Sequence, residues 1–164
     1  MPVLDAYNYS LLSVPAVWLL GISTHWTAIF LSAKSKEIPM FDNVAPRQCL
    51  AEIQKLAKTS KDARQYLRTE AAQQNIFENL GLYAAAIVAG NVAGLPVRHM
   101  NKIALGYLVS RLVYVVLYIK TDGPKLTPLR SIAFLTSPSS HPCTILSLGT
   151  FVRAGTAANK LLGY

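Results

Sequence analysis

Three ionisable side chains fall inside long apolar stretches of this 164-residue chain: Glu78, Arg111 and Arg153. A charge at bilayer depth costs about 2.5–3.5 kcal/mol on insertion scales, so each is a functional candidate by default. Glu78 follows a run of amides, Gln73, Gln74 and Asn75, with Asn79 beside it. Gln74 lies one helical turn before Glu78, as does Asn75, so the three share a face. Arg111, Tyr114 and Tyr118 stand at i, i+3 and i+7, again one face. Both sets sit toward the same end of their helices and are expected to line one polar cavity. Amides, a carboxylate, a guanidinium and two phenols suit a small zwitterionic or anionic ligand, because Arg grips carboxylates bidentately and Glu holds an ammonium. The residues alone leave a second reading open: a Glu78–Arg111 ion pair that only fastens two helices. Arg153 lies near the far side of the last span, and snorkelling to the interface accounts for it.

The elements that must carry these groups are helical. Apolar runs of about 20 residues match the bilayer core, and four are read here, at about 10–33, 69–95, 102–120 and 143–162. The expected fold is all-α, an integral membrane four-helix bundle forming one domain over 1–164. His25 is polar inside the first span, and a hydrogen bond to a neighbouring helix explains it better than catalysis. The long polar connection 34–70 turns at Asp42-Asn43, reads as helical from about Pro46, and has Ser60 as the cap of a run starting Lys61-Asp62. Small residues from Ala84 to Gly90 allow close helix approach. A short loop, Gly94 to Asn101, links the second and third spans. Asp122-Gly123-Pro124 is a turn signal. Ser137 to Pro142 is expected to bend or interrupt the approach to the last span.

Composition agrees. The chain is 52% hydrophobic and 15% charged, against roughly 25% charged in soluble domains, and its mean hydropathy is +0.31. The net charge of +8 comes from basic residues that border apolar runs. That pattern speaks for membrane topology and against nucleic-acid binding. The Lys/Arg excess in the first and third connections places both in the cytosol, with both termini on the opposite side. The first apolar run is too long for a signal h-region and lacks a basic n-region, so it reads as a retained span. Cys49 and Cys143 have no metal-type spacing and read as passive thiols. His25, His99 and His141 are isolated from one another, and no metal site is expected.

The segment Ala72 to Glu78, preceded by Arg68, resembles the second-helix signature of the MAPEG superfamily, the membrane-associated proteins of eicosanoid and glutathione metabolism. Arg111 to Tyr118 resembles the third-helix motif, closest to the leukotriene-C synthase branch. Pro128-Leu129-Arg130-Ser131 is similar to the start of the fourth helix in microsomal prostaglandin E synthase. Asn43 to Pro46-Arg47 resembles an Asn-Pro-Arg element of the first connection, with insertions. The likeness covers most of the chain, with the elements in the same order.

The resemblance implies a homotrimer with glutathione, as co-substrate, bent into a site between adjacent subunits, and a lipophilic substrate arriving from the bilayer. It implies that Gln73, Gln74, Asn75, Glu78, Tyr114 and Tyr118 contact glutathione. Arg68, Arg111 and Arg130 would hold the site or its carboxylates. Arg130 and Ser131 would stabilise the thiolate, with Tyr114 the other catalytic candidate. A cationic donor lowers a thiol pKa and raises the reactive fraction. By the same analogy the membrane is the endoplasmic reticulum. Three features depart from the family pattern: Ala71 and Phe134 replace a usual arginine and tyrosine, and the stretch from Tyr118 to Arg130 is longer. The expected activity is a glutathione transferase, isomerase or peroxidase. A second reading, favoured by Ala71, is a glutathione-independent acid/base isomerase or cyclase in which Glu78, Tyr114, Tyr118 or His25 moves protons. A third is a non-catalytic scaffold.

Overall fold

A computed structural model describes residues 7–121 and 141–162, with side chains described for 7–121 and 149–161. Among the described residues there are five helices and no strand: α1 (Ser10–Lys34), α2 (Pro46–Leu56), α3 (Lys61–Val92), α4 (Val97–Lys120) and α5 (His141–Leu162). α3 is the central element and packs against α1, α4 and α5. By length and composition α1 and α4 are apolar enough to cross a membrane.

An apolar core holds the helices together, and large aliphatic and aromatic side chains also cover the outside of α1 and α4. The face that α1 buries is small and polar: Ser10, Ser13, Val17, Gly21, Thr24, Ala28 and Ser32. Its exposed face carries Leu11, Leu12, Trp18, Leu19, Trp26 and Phe30. On α4 the buried residues include Asn101, Tyr107, Ser110, Arg111 and Tyr114, while Leu105, Val109, Leu112, Val113, Val116 and Leu117 are exposed. Small and hydrogen-bonding residues between helices, with large aliphatic ones outside, suit a surrounding solvent of lipid tails. A Cβ on Gly21 would lie 2.8 Å from Cζ of Phe77, so any larger residue there requires the Phe77 ring to shift.

Helix limits refine the expected elements. α3 begins at Lys61, where the Ser60 cap was expected: Ser60 accepts the Ala63 amide at 3.1 Å, and the helix continues unbroken through the stretch from about residue 69. The loop expected over 94–101 is only 93–96. Gly94 sits at φ 67°, where a left-handed residue is needed to stop α3. Its amide bonds to Asn91 O at 3.1 Å and the Leu95 amide to Gly90 O at 3.0 Å, a Schellman end. Pro96 then caps α4, which starts at Val97. The expected bend at Ser137 to Pro142 falls largely outside the described residues, although His141 already begins α5.

Near the α3–α4 turn a side-chain clasp ties the chain start to the bundle. Asn8 donates to Asn91 Oδ1. Asn91 Nδ2 donates to Ser10 Oγ at 3.0 Å. Asn101 accepts the Tyr9 amide at 2.8 Å and donates to Tyr7 O at 2.7 Å. Leucine at position 101 would leave both backbone groups without this partner, at about 1–3 kcal/mol. Asn101→Leu is therefore expected to lower the melting temperature and to speed amide exchange at residues 7–10 selectively. Uniform exchange across the chain would count against the clasp.

At the opposite end, α2 lays Cys49 and Ile53 against Ala28, Ile38, Ala63 and Tyr66. The Cys49 thiol is free, buried, and 3.7 Å from Met40 O.

Candidate functional site

The groups singled out by spacing meet where α3 crosses α4. Asn75 leaves α3 toward α4 and its Nδ2 donates to the Tyr114 phenol oxygen at 2.7 Å. Tyr114 is 7% exposed, and the half-buried Tyr118 ring lies 5.2 Å from it, tilted. One turn back on α4, Arg111 is 1% exposed, the bulkiest of the fully buried side chains. Its guanidinium carbon stands 4.9 Å over the Tyr107 ring, a cation–π contact. Its Nε and Nη2 are buried without a hydrogen-bond partner among the described residues. A guanidinium presents five donors in a fixed fork, so this one is held in place with much of its binding capacity unused.

The support behind Arg111 is aromatic. Tyr107 stacks on Tyr83 of α3, centroids 3.7 Å apart and rings 11° from parallel. The Tyr83 hydroxyl in turn bonds Ser13 of α1. Three helices thus fix one cation. Tyr83 and Tyr107 were not singled out in the sequence, although Tyr107 precedes Arg111 by four residues and extends the 111–114–118 stripe by one turn.

The remaining positions separate. Gln73 is half-buried, while Gln74 and Glu78 are exposed. They do not face Arg111, so the described residues do not form the single hollow expected from both helix faces. The alternative Glu78–Arg111 ion pair is not formed either. Arg68 is half-buried, and its Nη2 makes a long 3.5 Å bond to Ile119 O at the end of α4. Arg130 and Ser131 lie outside the described residues, as does Phe134. His25 behaves as a helix-joining group: its Nδ1 is 2.8 Å from Glu70 Oε1 of α3, and the Phe41 ring meets it edge-on at 5.7 Å. Glu70 is a partner that its position in the polar connection did not advertise.

From Gln74 on, the exposed residues of α3 form one continuous stripe: Gln74, Glu78, Gly81, Leu82, Ala85, Val88 and Val92. Its outer half is small and apolar, and its inner half carries an amide and a carboxylate. Leaving that carboxylate in contact with lipid tails would cost about 2.5–3.5 kcal/mol, so at bilayer depth this face requires a polar neighbour that the described residues do not supply.

No curated protein and no solved structure matches the chain. The family model of the MAPEG family matches residues 11–148, a stretch that includes the α1 face, the Asn75–Tyr114 contact and the buried guanidinium. Its apolar α1 and α4 and that match agree, and the chain belongs to the MAPEG family of membrane proteins.

Proposed function

We propose that the protein is a glutathione-dependent membrane enzyme, a transferase, isomerase or peroxidase, acting on a lipophilic substrate at the interface between subunits of a homotrimer. The observation that carries this reading is Arg111: a buried, rigidly supported guanidinium with two unpartnered nitrogens, one turn from an Asn–Tyr pair. A carboxylate of glutathione supplies the missing acceptors. The exposed Gln74 and Glu78 supply complementary groups for its amides and ammonium, once a second subunit covers the α3 stripe. Four crossing helices, α1, α3, α4 and α5, complete each subunit. The bilayer then delivers the lipophilic electrophile laterally while glutathione enters from the cytosol. The endoplasmic reticulum is the proposed membrane.

In that arrangement Gln73, Asn75, Tyr114 and Tyr118 orient the tripeptide. Arg68, near the end of α4, attracts its negative charge. Arg130 and Ser131 hold the sulfur as thiolate. The sulfur attacks an electrophilic carbon, displacing the group that leaves it with the bonding electrons, or one oxygen of an oxygen–oxygen bond, whose other oxygen leaves as an alkoxide and takes a proton, after which a second glutathione releases the oxidised sulfur as a disulfide; stabilising the thiolate raises its reactive fraction at neutral pH.

The test is a titration of purified protein with glutathione, followed by the ultraviolet absorbance of the thiolate. Binding with a thiolate signal is expected. For Arg130→Ala the signal should disappear while the oligomer survives; an unchanged signal removes Arg130 from the mechanism. If glutathione does not bind at all, the glutathione-independent acid/base reading takes over. That second reading has its own support in Ala71, where the family usually has an arginine, and in the His25–Glu70 contact, which orients an imidazole for proton transfer.

A further inference from the structure

The connection between α1 and α2 does not leave the bundle; it doubles back on α1. The Phe41 amide donates to Ser32 Oγ at 3.2 Å, and its ring reaches His25, two turns deeper. Ile38 is buried in the cluster that includes Ala28 and Tyr66, and Met40 O accepts the Cys49 thiol. Residues 38–41 are thereby fixed alongside the last turns of α1. Yet Met40 remains 72% exposed and Val44, held by the Asp42 carboxylate at its amide, 94% exposed. On α1 at the same level, Trp26 is 64% exposed and Phe30 is also exposed.

Position decides what covers these side chains. About 20 helical residues span the hydrocarbon core at about 1.5 Å each. Counted from Ser10, the core ends near Ile29 and Phe30. Trp26 then sits in the aromatic belt, and Lys34, whose Nζ lies 4.9 Å from the Phe30 ring centroid, snorkels outward. Met40 and Val44 fall beside the headgroup layer. Exposed Lys34, Lys36 and Arg47 flank them and have no carboxylate partner among the described residues. The neighbouring acids are engaged within the protein, Asp42 by the Val44 amide and Glu37 by the Ser60 hydroxyl at 2.6 Å.

We propose that residues 34–47 form a lipid-docking surface, in which Met40 and Val44 dip into the leaflet bordering this connection while Lys34, Lys36 and Arg47 bind the phosphates of anionic phospholipids. Apolar tips ringed by unpaired cations complement that layer, whose inner side is hydrocarbon and whose outer side is negative. This inference needs the membrane setting alone and holds whether or not glutathione binds.

The experiment places a nitroxide at Val44→Cys in a full chain carrying Cys49→Ser and Cys143→Ser, with Lys58→Cys as the aqueous reference. Both are reconstituted in phosphatidylcholine vesicles with and without phosphatidylglycerol. Collision with oxygen is expected to exceed collision with a water-soluble nickel chelate several-fold more at position 44 than at position 58. Adding phosphatidylglycerol should deepen the label, and Lys36→Gln with Arg47→Gln should abolish that response. Equal ratios at the two positions overturn the proposal, because the surface is then in water. Shielding from both reagents also overturns it, because protein then covers the patch. Depth insensitive to phosphatidylglycerol overturns the role of the cations.

Discussion

Replacing Arg111 by methionine is expected to abolish glutathione binding and to leave the fold at least as heat-stable as before. The two halves of this result come from the same observation. Arg111 is buried with Nε and Nη2 unpartnered, so the folded protein pays its desolvation without recovering it in hydrogen bonds. Exchanging such a charge for an apolar chain of similar length is often neutral, or stabilising by about 1–4 kcal/mol. The lost cation–π contact with Tyr107 returns only about 1 kcal/mol of that. Binding moves the other way. Hydrogen bonds to charged groups contribute about 1.5–3 kcal/mol each, and about 3 kcal/mol is roughly a hundredfold in Kd. Calorimetric titration and a melting curve on the same sample check both halves. A variant that melts far lower yet binds normally would make Arg111 a structural strut and remove the main support for the glutathione site.

Gly90→Leu should be the most damaging of the glycine substitutions. A Cβ there would lie 2.7 Å from Cε and Sδ of Met100 and 2.9 Å from Cγ2 of Thr150. The methionine end can swing aside, but a β-branched threonine on a helix has little freedom. The remaining carbons of leucine have nowhere to go between α3, α4 and α5. Overpacking of this kind costs about 1–3 kcal/mol, occasionally more, read as a lower melting temperature in detergent. Gly81 gives the contrast, since its Cβ would meet nothing within 4 Å in the subunit. It lies in the exposed α3 stripe, so Gly81→Leu should leave the chain folded but shift the proposed trimer toward monomers in light scattering. An intact trimer with leucine at position 81 would mean that subunits associate through some other face.

Which of these features were legible in the sequence follows from how local each cause is. α1 and α4 announce themselves as apolar runs, and the Ser60 cap is a three-residue interaction that type and order reveal. Hydropathy marks only the later part of α3, because it falls over 61–75, although nothing there breaks the helix that the Ser60 cap begins. The loop before α4 was drawn too long because Arg98 and His99 look like loop residues, yet they occupy its first turn. Periodicity correctly put Arg111, Tyr114 and Tyr118 on one face. It could not tell which neighbour that face meets, which is why Asn75 reaches Tyr114 while Gln74 and Glu78, from the same run, point away. The Tyr83–Tyr107 stack, the Glu70 partner of His25 and the return of Phe41 along α1 all join residues distant in sequence, and no spacing rule encodes them.

The absence of a break in α3 leaves the protein no means of adjusting its parts separately. Tyr66 in the outer cluster, Asn75 beside Tyr114 and Tyr83 against Tyr107 are indexed to one rigid screw. A single residue inserted between Tyr66 and Asn75 would turn everything on one side by about 100° relative to the other, forfeiting either the outer cluster or the inner contacts. Four inserted residues, nearly a whole revolution, would restore the azimuth at the expense of about 6 Å of displacement. Changes of length are therefore expected to be tolerated in the connections at its two ends and not within the helix.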